Sequence, residues 1–163
     1  MNPHAPAFIK LMLHPFKFRL YLLSRLPSAY FAGVRVREIS EQHSVATVPY
    51  KWFSQNPFRS TYFACLSMAA EMTTGALAMA QLYKREPPVS MLVVKVSSEY
   101  FKKATGTTSF RCNDGNLFRN AIDESIATGE SRSVTAKSTG TNANGEVVAE
   151  FEITWSFRVR TKK

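Results

Sequence analysis

The sequence predicts an α+β domain in which an antiparallel sheet of about six strands lies beside one long buried helix. Three observations carry that expectation. Between Tyr62 and Tyr83 the only charged residue is Glu71. On either side of this stretch, apolar and polar residues alternate with a period of two, the mark of half-buried strands. The last two alternating runs are separated by Asn144-Gly145, a dipeptide suited to a tight hairpin turn.

The chain opens with a basic arm. Residues 1–37 carry Lys10, Lys17, Arg19, Arg25, Arg35 and Arg37, and the first acid is Glu38. Phe8 to Leu26 is rich in Phe, Leu and Met, but its four cations and Pro15 interrupt the run of about 20 apolar residues that a bilayer span requires. The same interruptions spoil a signal peptide. The segment reads as an amphipathic helix that Pro15 starts or kinks, made to cover a core, with contact to an anionic membrane surface through residues 8–26 as the lesser alternative. Residues 1–31 are therefore set apart as an arm, and 32–163 as the single globular domain.

Val34 and Val36, spaced by arginines, and then Val45, Thr47 and Tyr50 beyond a polar turn at Ser40 to Gln42, predict a β-hairpin. A proline-containing loop, Lys51 to Arg59, leads into the long helix, expected over about 60–83. The helical stretch is Ala- and Met-rich, poor in β-branched residues, and preceded by Ser60 and Thr61 as N-cap candidates. Being apolar on nearly every face it must be buried all round, and Glu71 with its neighbouring Ser and Thr residues makes it a poor bilayer span. Val89 to Phe101, Thr107 to Cys112, Ser131 to Thr139 and Glu146 to Val159 read as strands, and Leu117 to Ala127 as a short second helix.

Composition narrows the function without choosing it. The 163 residues are 45% hydrophobic and carry a net charge of +9, which suits one packed domain with an anionic partner. Cys65 and Cys112 have no metal-ligand or disulfide spacing, and the three histidines, His4, His14 and His43, share none either, so no metal is expected and a reducing cytoplasm is the expected compartment. Phosphate-loop, nucleophile-elbow, dinucleotide and zinc-protease motifs are absent. Nucleic acid is disfavoured as a partner.

Glu71 stands out. A lone carboxylate in the middle of a buried helix is costly to ionise unless it is hydrogen-bonded or used, so its pKa is expected to rise toward that of a general base. The opposite reading, a glutamate that reaches the helix edge and meets a donor, stands level with it. The first turn of the same helix has free amides that can hold an oxyanion, but Glu71 lies about 13 Å further along the axis. One chain cannot bring both to one carbonyl carbon. Two antiparallel helices from two subunits can, so a catalytic reading predicts a homodimer; pairing of dimers into tetramers stays open.

The string Asn56-Pro57-Phe58-Arg59-Ser60-Thr61-Tyr62-Phe63-Ala64, running into the helix with Glu71, resembles a segment of hotdog-fold thioesterases of the phenylacetyl-CoA thioesterase type. In that family an Asn precedes a His-Gly-Gly by six residues and an acid follows the His by nine, and Asn56, Tyr62 and Glu71 keep both spacings. Glu99 to Gly106 is similar to a second stretch of the family, and the likeness covers about residues 32 to 160. Tyr62, Phe63 and Ala64 stand where the family has His-Gly-Gly, and Lys103 where it has Pro. A branch of hotdog proteins of unassigned function, with Glu on the helix and no His before it, is similar to this sequence more closely.

The resemblance implies a hotdog fold and hydrolysis of an acyl-CoA or other acyl-carrier thioester, with coenzyme A as part of the substrate and no separate cofactor. Glu71 is then the general base or nucleophile, Asn56 positions the water or carbonyl, the amides of Phe63 and Ala64 from the partner chain hold the oxyanion, and Thr74 orients the water. Tyr62 would border the substrate, while Phe58, Met68, Met72 and Leu92 would line an acyl pocket. Lys95, Lys102 and Lys103 would meet the phosphates of coenzyme A. The alternative is a hotdog protein that binds acyl-CoA or fatty acid without turnover.

Overall fold

The structure is a computed structural model that describes residues 2–160. Three helices lead into the sheet, and each begins on a proline signal. Helix α1 (Ala5–Leu13) stops at His14, whose extended backbone is what the following Pro15 demands, and Pro15 then opens α2 (Pro15–Arg25). Pro27 likewise opens α3 (Pro27–Ala32), which ends at Gly33 with φ +84, the left-handed cap position that glycine tolerates best.

The sheet has six antiparallel strands: β1 (Arg35–Ile39), β2 (Ser44–Val48), β3 (Val89–Tyr100), β4 (Thr108–Cys112), β5 (Arg132–Thr141) and β6 (Val147–Val159). Their order across the sheet is β1-β2-β4-β5-β6-β3, so β1 and β3 are the edges. Strand β3 pairs along its whole length with β6, from Val89 opposite Val159 to Tyr100 opposite Ala149, with a bulge between Val93 and Lys95 that leaves Val94 without a partner. The opposite side of β3 is open, and Leu92, Val94 and Val96 are exposed on it.

Helix α4 (Phe63–Leu82) lies across the sheet, between two strands before it and four after it in sequence, as the hotdog resemblance implies. It is the one helix among the described residues long and apolar enough to cross a membrane, but here it is the core. Leu66, Ala69, Ala70, Leu77 and Ala80 are buried with Ala46, Val48, Phe110, Phe151 and Ile153 of the strands. Small side chains on the helix let it approach the sheet closely, and each buried large side chain contributes about 1.5–3 kcal/mol. Polar pairs also cross this interface, among them Thr73 to Ser138 at 2.8 Å, which satisfies two buried hydroxyls at once.

The long helix begins three residues later than the sequence leads one to expect. Ser60 and Thr61 do not cap it: the Thr61 hydroxyl donates to the Ala104 carbonyl at 3.1 Å, and Ser60 is tied to Asn56. Tyr62 takes the cap position with no side-chain bond. The second helix, α5 (Gly115–Thr128), begins two residues earlier than expected. The Gly115 amide bonds the Gln42 carbonyl at 3.0 Å, and a Cβ there would lie 2.0 Å from the Glu41 carbonyl oxygen, an approach that only glycine permits.

Candidate active site

The face of α4 turned toward the arm and toward Met91 and Trp155 of the sheet carries Glu71, Met72, Gly75, Ala76 and Met79, the spacing of one helical surface. The arm packs over it. Phe8, Leu11 and Met12 of α1, Phe18 and Tyr21 of α2, and Leu26 enclose this surface together with Tyr83, Met91 of β3 and Trp155 of β6. The result is an apolar cavity of about 350 Å³. Among its lining residues Glu71 is the one carboxylate.

Burial pushes the Glu71 carboxyl above the usual glutamate range. No ion pair or hydrogen bond to its carboxylate is present among the described residues, so nothing offsets the lost hydration. Of the two readings that the sequence left level, the edge-reaching, donor-paired glutamate is the one the structure does not adopt. Gly75 gives the carboxyl its room: a Cβ at that position would sit 3.2 Å from Glu71 Oε1 and 3.5 Å from the Trp155 ring.

Thr74 is placed differently from its expected role. It is fully buried, its hydroxyl donates to the Glu71 carbonyl at 3.1 Å and accepts from Trp155 Nε1 at 3.0 Å. It anchors the cavity wall and does not face the space beside the carboxylate. The anchor fixes Trp155 against Gly75, and so shapes the chamber around Glu71.

At the start of α4, Cys65 and Leu66 donate to the Tyr62 carbonyl, and Tyr62 donates to the Ser54 carbonyl at 2.7 Å. The amides of Phe63 and Ala64 have no acceptor among the described residues. They point out of the helix at its positive end, next to the exposed and edge-to-face rings of Tyr62 and Phe63. Asn56 builds the loop in front of them: its side-chain oxygen accepts the amides of Phe58 and Ser60, and its nitrogen donates to the Ser60 hydroxyl.

The remaining expected residues scatter. Met72 lines the cavity, but Phe58 projects from the loop at 74% exposure and Met68 borders a separate crevice with Phe31, Phe53 and Cys65. Leu92 stands exposed on the β3 edge. Lys102 is paired with Glu146, whereas Lys95 and Lys103 are exposed and without an ion pair among the described residues. Phe58, Met68 and Leu92 therefore do not line the Glu71 cavity of the single chain, whose outer wall comes from the arm. Both cysteines are buried, and burial raises both thiols, Cys112 up to about 12, so neither is an activated nucleophile. No group of three or more His, Cys, Asp or Glu among the described residues is arranged to hold a metal ion.

The model of a domain family of unknown function, DUF4442, matches residues 18–157. The chain belongs to the DUF4442 family. The match takes in most of α2 and all of α3, so the family's extent begins within the arm that closes the cavity. No curated protein matches the sequence significantly. Among solved structures, this DUF4442 chain is similar to a Pseudomonas aeruginosa protein of unknown function termed a "probable thioesterase", with 19% identity, a TM-score of 0.72 and coverage of 98% of this chain and 99% of the other. It is also similar to a Chlorobaculum tepidum protein of unknown function, with 14% identity, a TM-score of 0.74 and coverage of 89% and 94%. A Haemophilus influenzae thioesterase gives 12% identity, a TM-score of 0.62 and coverage of 88% and 90%. At these identities the likeness establishes the fold: the DUF4442 chain has the hotdog fold.

Proposed function

We propose that the protein hydrolyses acyl thioesters, with Glu71 as the general base. The observation that carries this reading is an unpartnered carboxylate, its pKa raised by burial, facing an otherwise apolar cavity. At about 350 Å³ the cavity lies near the lower end of the roughly 300–1,000 Å³ range of small-ligand sites, and its lining suits an acyl chain. Thioesterase names among the structural neighbours support the same chemistry.

In this reading Glu71 takes a proton from water as the oxygen attacks the thioester carbon. The carbonyl oxygen becomes an oxyanion, held by the amides of Phe63 and Ala64 of a second protomer. Collapse of the tetrahedral adduct breaks the C–S bond, and the proton on Glu71 goes to the departing thiolate. The second protomer joins through β3, whose open edge and exposed Leu92, Val94 and Val96 form a surface that sheets leave bare only at a price in aggregation. Coenzyme A is the carrier, with Lys95 and Lys103 as the free cations for its phosphates.

One observation favours a second reading, an acyl binder without turnover: the Phe63 ring, 57% exposed, stands beside the amides that would hold the oxyanion. Thiol release from a panel of acyl-CoAs, measured on wild type and Glu71→Gln alongside equilibrium binding, decides between them. Turnover that vanishes in the variant while binding persists supports the hydrolase; tight binding without turnover in either protein replaces it with the binder.

A further inference from the structure

Helix α2 is apolar on two faces, and the fold uses one of them. Phe18 and Leu22 are buried against the body of the protein. Phe16, Leu20 and Leu23, at i, i+4 and i+7, form a second stripe on the opposite side, where Phe16 is 81% and Leu20 67% exposed. Lys17 flanks this stripe on one side and Arg19 on the other, the latter held by the Tyr30 hydroxyl at 3.4 Å with its guanidinium 5.4 Å from the Tyr30 ring. Leu13, also exposed, and Lys10 extend the surface across the α1–α2 junction.

We infer that α2 docks the protein on an anionic lipid bilayer, with the Phe16-Leu20-Leu23 stripe in the headgroup–acyl boundary and Lys10, Lys17 and Arg19 against lipid phosphates. Charge selects the occupant. The first 37 residues contain six cations and no acid, two of these cations, Lys17 and Arg19, flank the stripe itself, and large apolar side chains flanked by cations are the form of an interfacial helix. A soluble acidic partner would satisfy the cations but leave Phe16 and Leu20 wet. Leu11, Tyr21 and Leu26 line the Glu71 cavity and are themselves exposed, so part of the cavity wall is built from the docking helix and its flanks.

Flotation of the full chain with phosphatidylcholine vesicles, with and without phosphatidylglycerol, tests the inference, and it is independent of turnover because no thioester is present. The expected result is binding to the anionic vesicles, weakened by salt, roughly tenfold or more weaker in Phe16→Ser/Leu20→Ser and about fivefold weaker in Lys17→Gln. Glu71→Gln is expected to float like wild type, so a failed hydrolase reading leaves this result standing. Circular dichroism melts confirm that each variant is folded, which is expected because all the substituted side chains except Glu71 are exposed. Absence of flotation with anionic vesicles overturns the inference, as does equal binding by wild type and Phe16→Ser/Leu20→Ser. Light scattering gives the remaining outcome: a fall in oligomeric mass in Phe16→Ser/Leu20→Ser would reassign the stripe to contact between copies of the chain, and overturns membrane docking.

Discussion

Trp155 and Thr74 meet across the cavity wall, the indole N–H donating to the threonine hydroxyl at 3.0 Å, and that hydroxyl donating in turn to the Glu71 carbonyl. Both polar groups are buried, so each depends on the other. Thr74→Val keeps the volume and removes the acceptor, leaving the indole N–H unsatisfied. The expected loss is about 1–3 kcal/mol in urea unfolding, while Thr74→Ser, which keeps the bond, loses less. Equal stability of the valine and serine variants would show that the indole finds another acceptor.

Glu71 gives the stability a pH dependence of known sign. Its pKa in the folded protein is raised by burial, so between the ordinary glutamate value and the raised one the folded state binds more protons than the unfolded state. Stability is therefore lost as pH rises through that window, and the loss is complete above the folded pKa. Glu71→Gln removes this term. Subtracting its unfolding free energy from that of wild type at each pH is expected to give a difference that grows more unfavourable to wild type with rising pH and then levels off. A flat difference would mean that the carboxylate is not desolvated.

In the proposed hydrolysis the same group sets the pH profile. A general base works only when ionised, so thiol release is expected to climb with pH on a limb displaced above the ordinary glutamate range. A limb at the ordinary value would separate the titrating base from the buried Glu71.

Strands and helices were legible because their signals are local. Period two marks the strands, and the sparing of charge from Tyr62 to Tyr83 marks the central helix. Yet this same uniformity hides the site. A helix apolar all round does not declare which face meets the sheet and which meets the arm, so Met68 and Met72, four residues apart, were equally eligible for the pocket, and only Met72 lines it. The partners that enclose Glu71 come from Phe8 to Leu26 and from Trp155, far away in sequence, and no spacing rule joins them. Gly75 is the one local signal passed over: a glycine four residues after a buried acid, on the same helical face, marks space kept for that acid. The late start of α4 was illegible for another reason. Ser60 and Thr61 are good caps by type, but Asn56 and the Ala104 carbonyl claim their hydroxyls, and both claims are tertiary.

Gly75 separates stability from function. Alanine in mid-helix is favoured over glycine by up to about 1 kcal/mol, and the new methyl would meet Glu71 Oε1 at 3.2 Å and the Trp155 ring at 3.5 Å, contacts that small shifts relieve. Gly75→Ala is therefore expected to unfold at equal or higher denaturant while turnover falls by about tenfold or more, because the carboxyl is pushed from its position. A variant both stabilised and fully active would show that the space over Gly75 is not used.

The β3 edge is the proposed seam between two copies. Its outer hydrogen-bonding groups are free, Val94 sits unpaired at the bulge, and Leu92 and Val96 are exposed beside it. Leu92→Lys/Val94→Lys places like charges along the proposed seam, where pairing two copies would bring them together. Because both positions are exposed in one protomer, the substitution costs the monomer fold little, and the expected result is a monomer by light scattering with an unchanged melting profile. Thiol release is expected to fall with the mass, since the Phe63 and Ala64 amides of one copy lie about 10–12 Å along the helix from its own Glu71. A monomeric variant that keeps full activity would place the oxyanion donors elsewhere in the same chain, and one that remains dimeric would move the seam off β3.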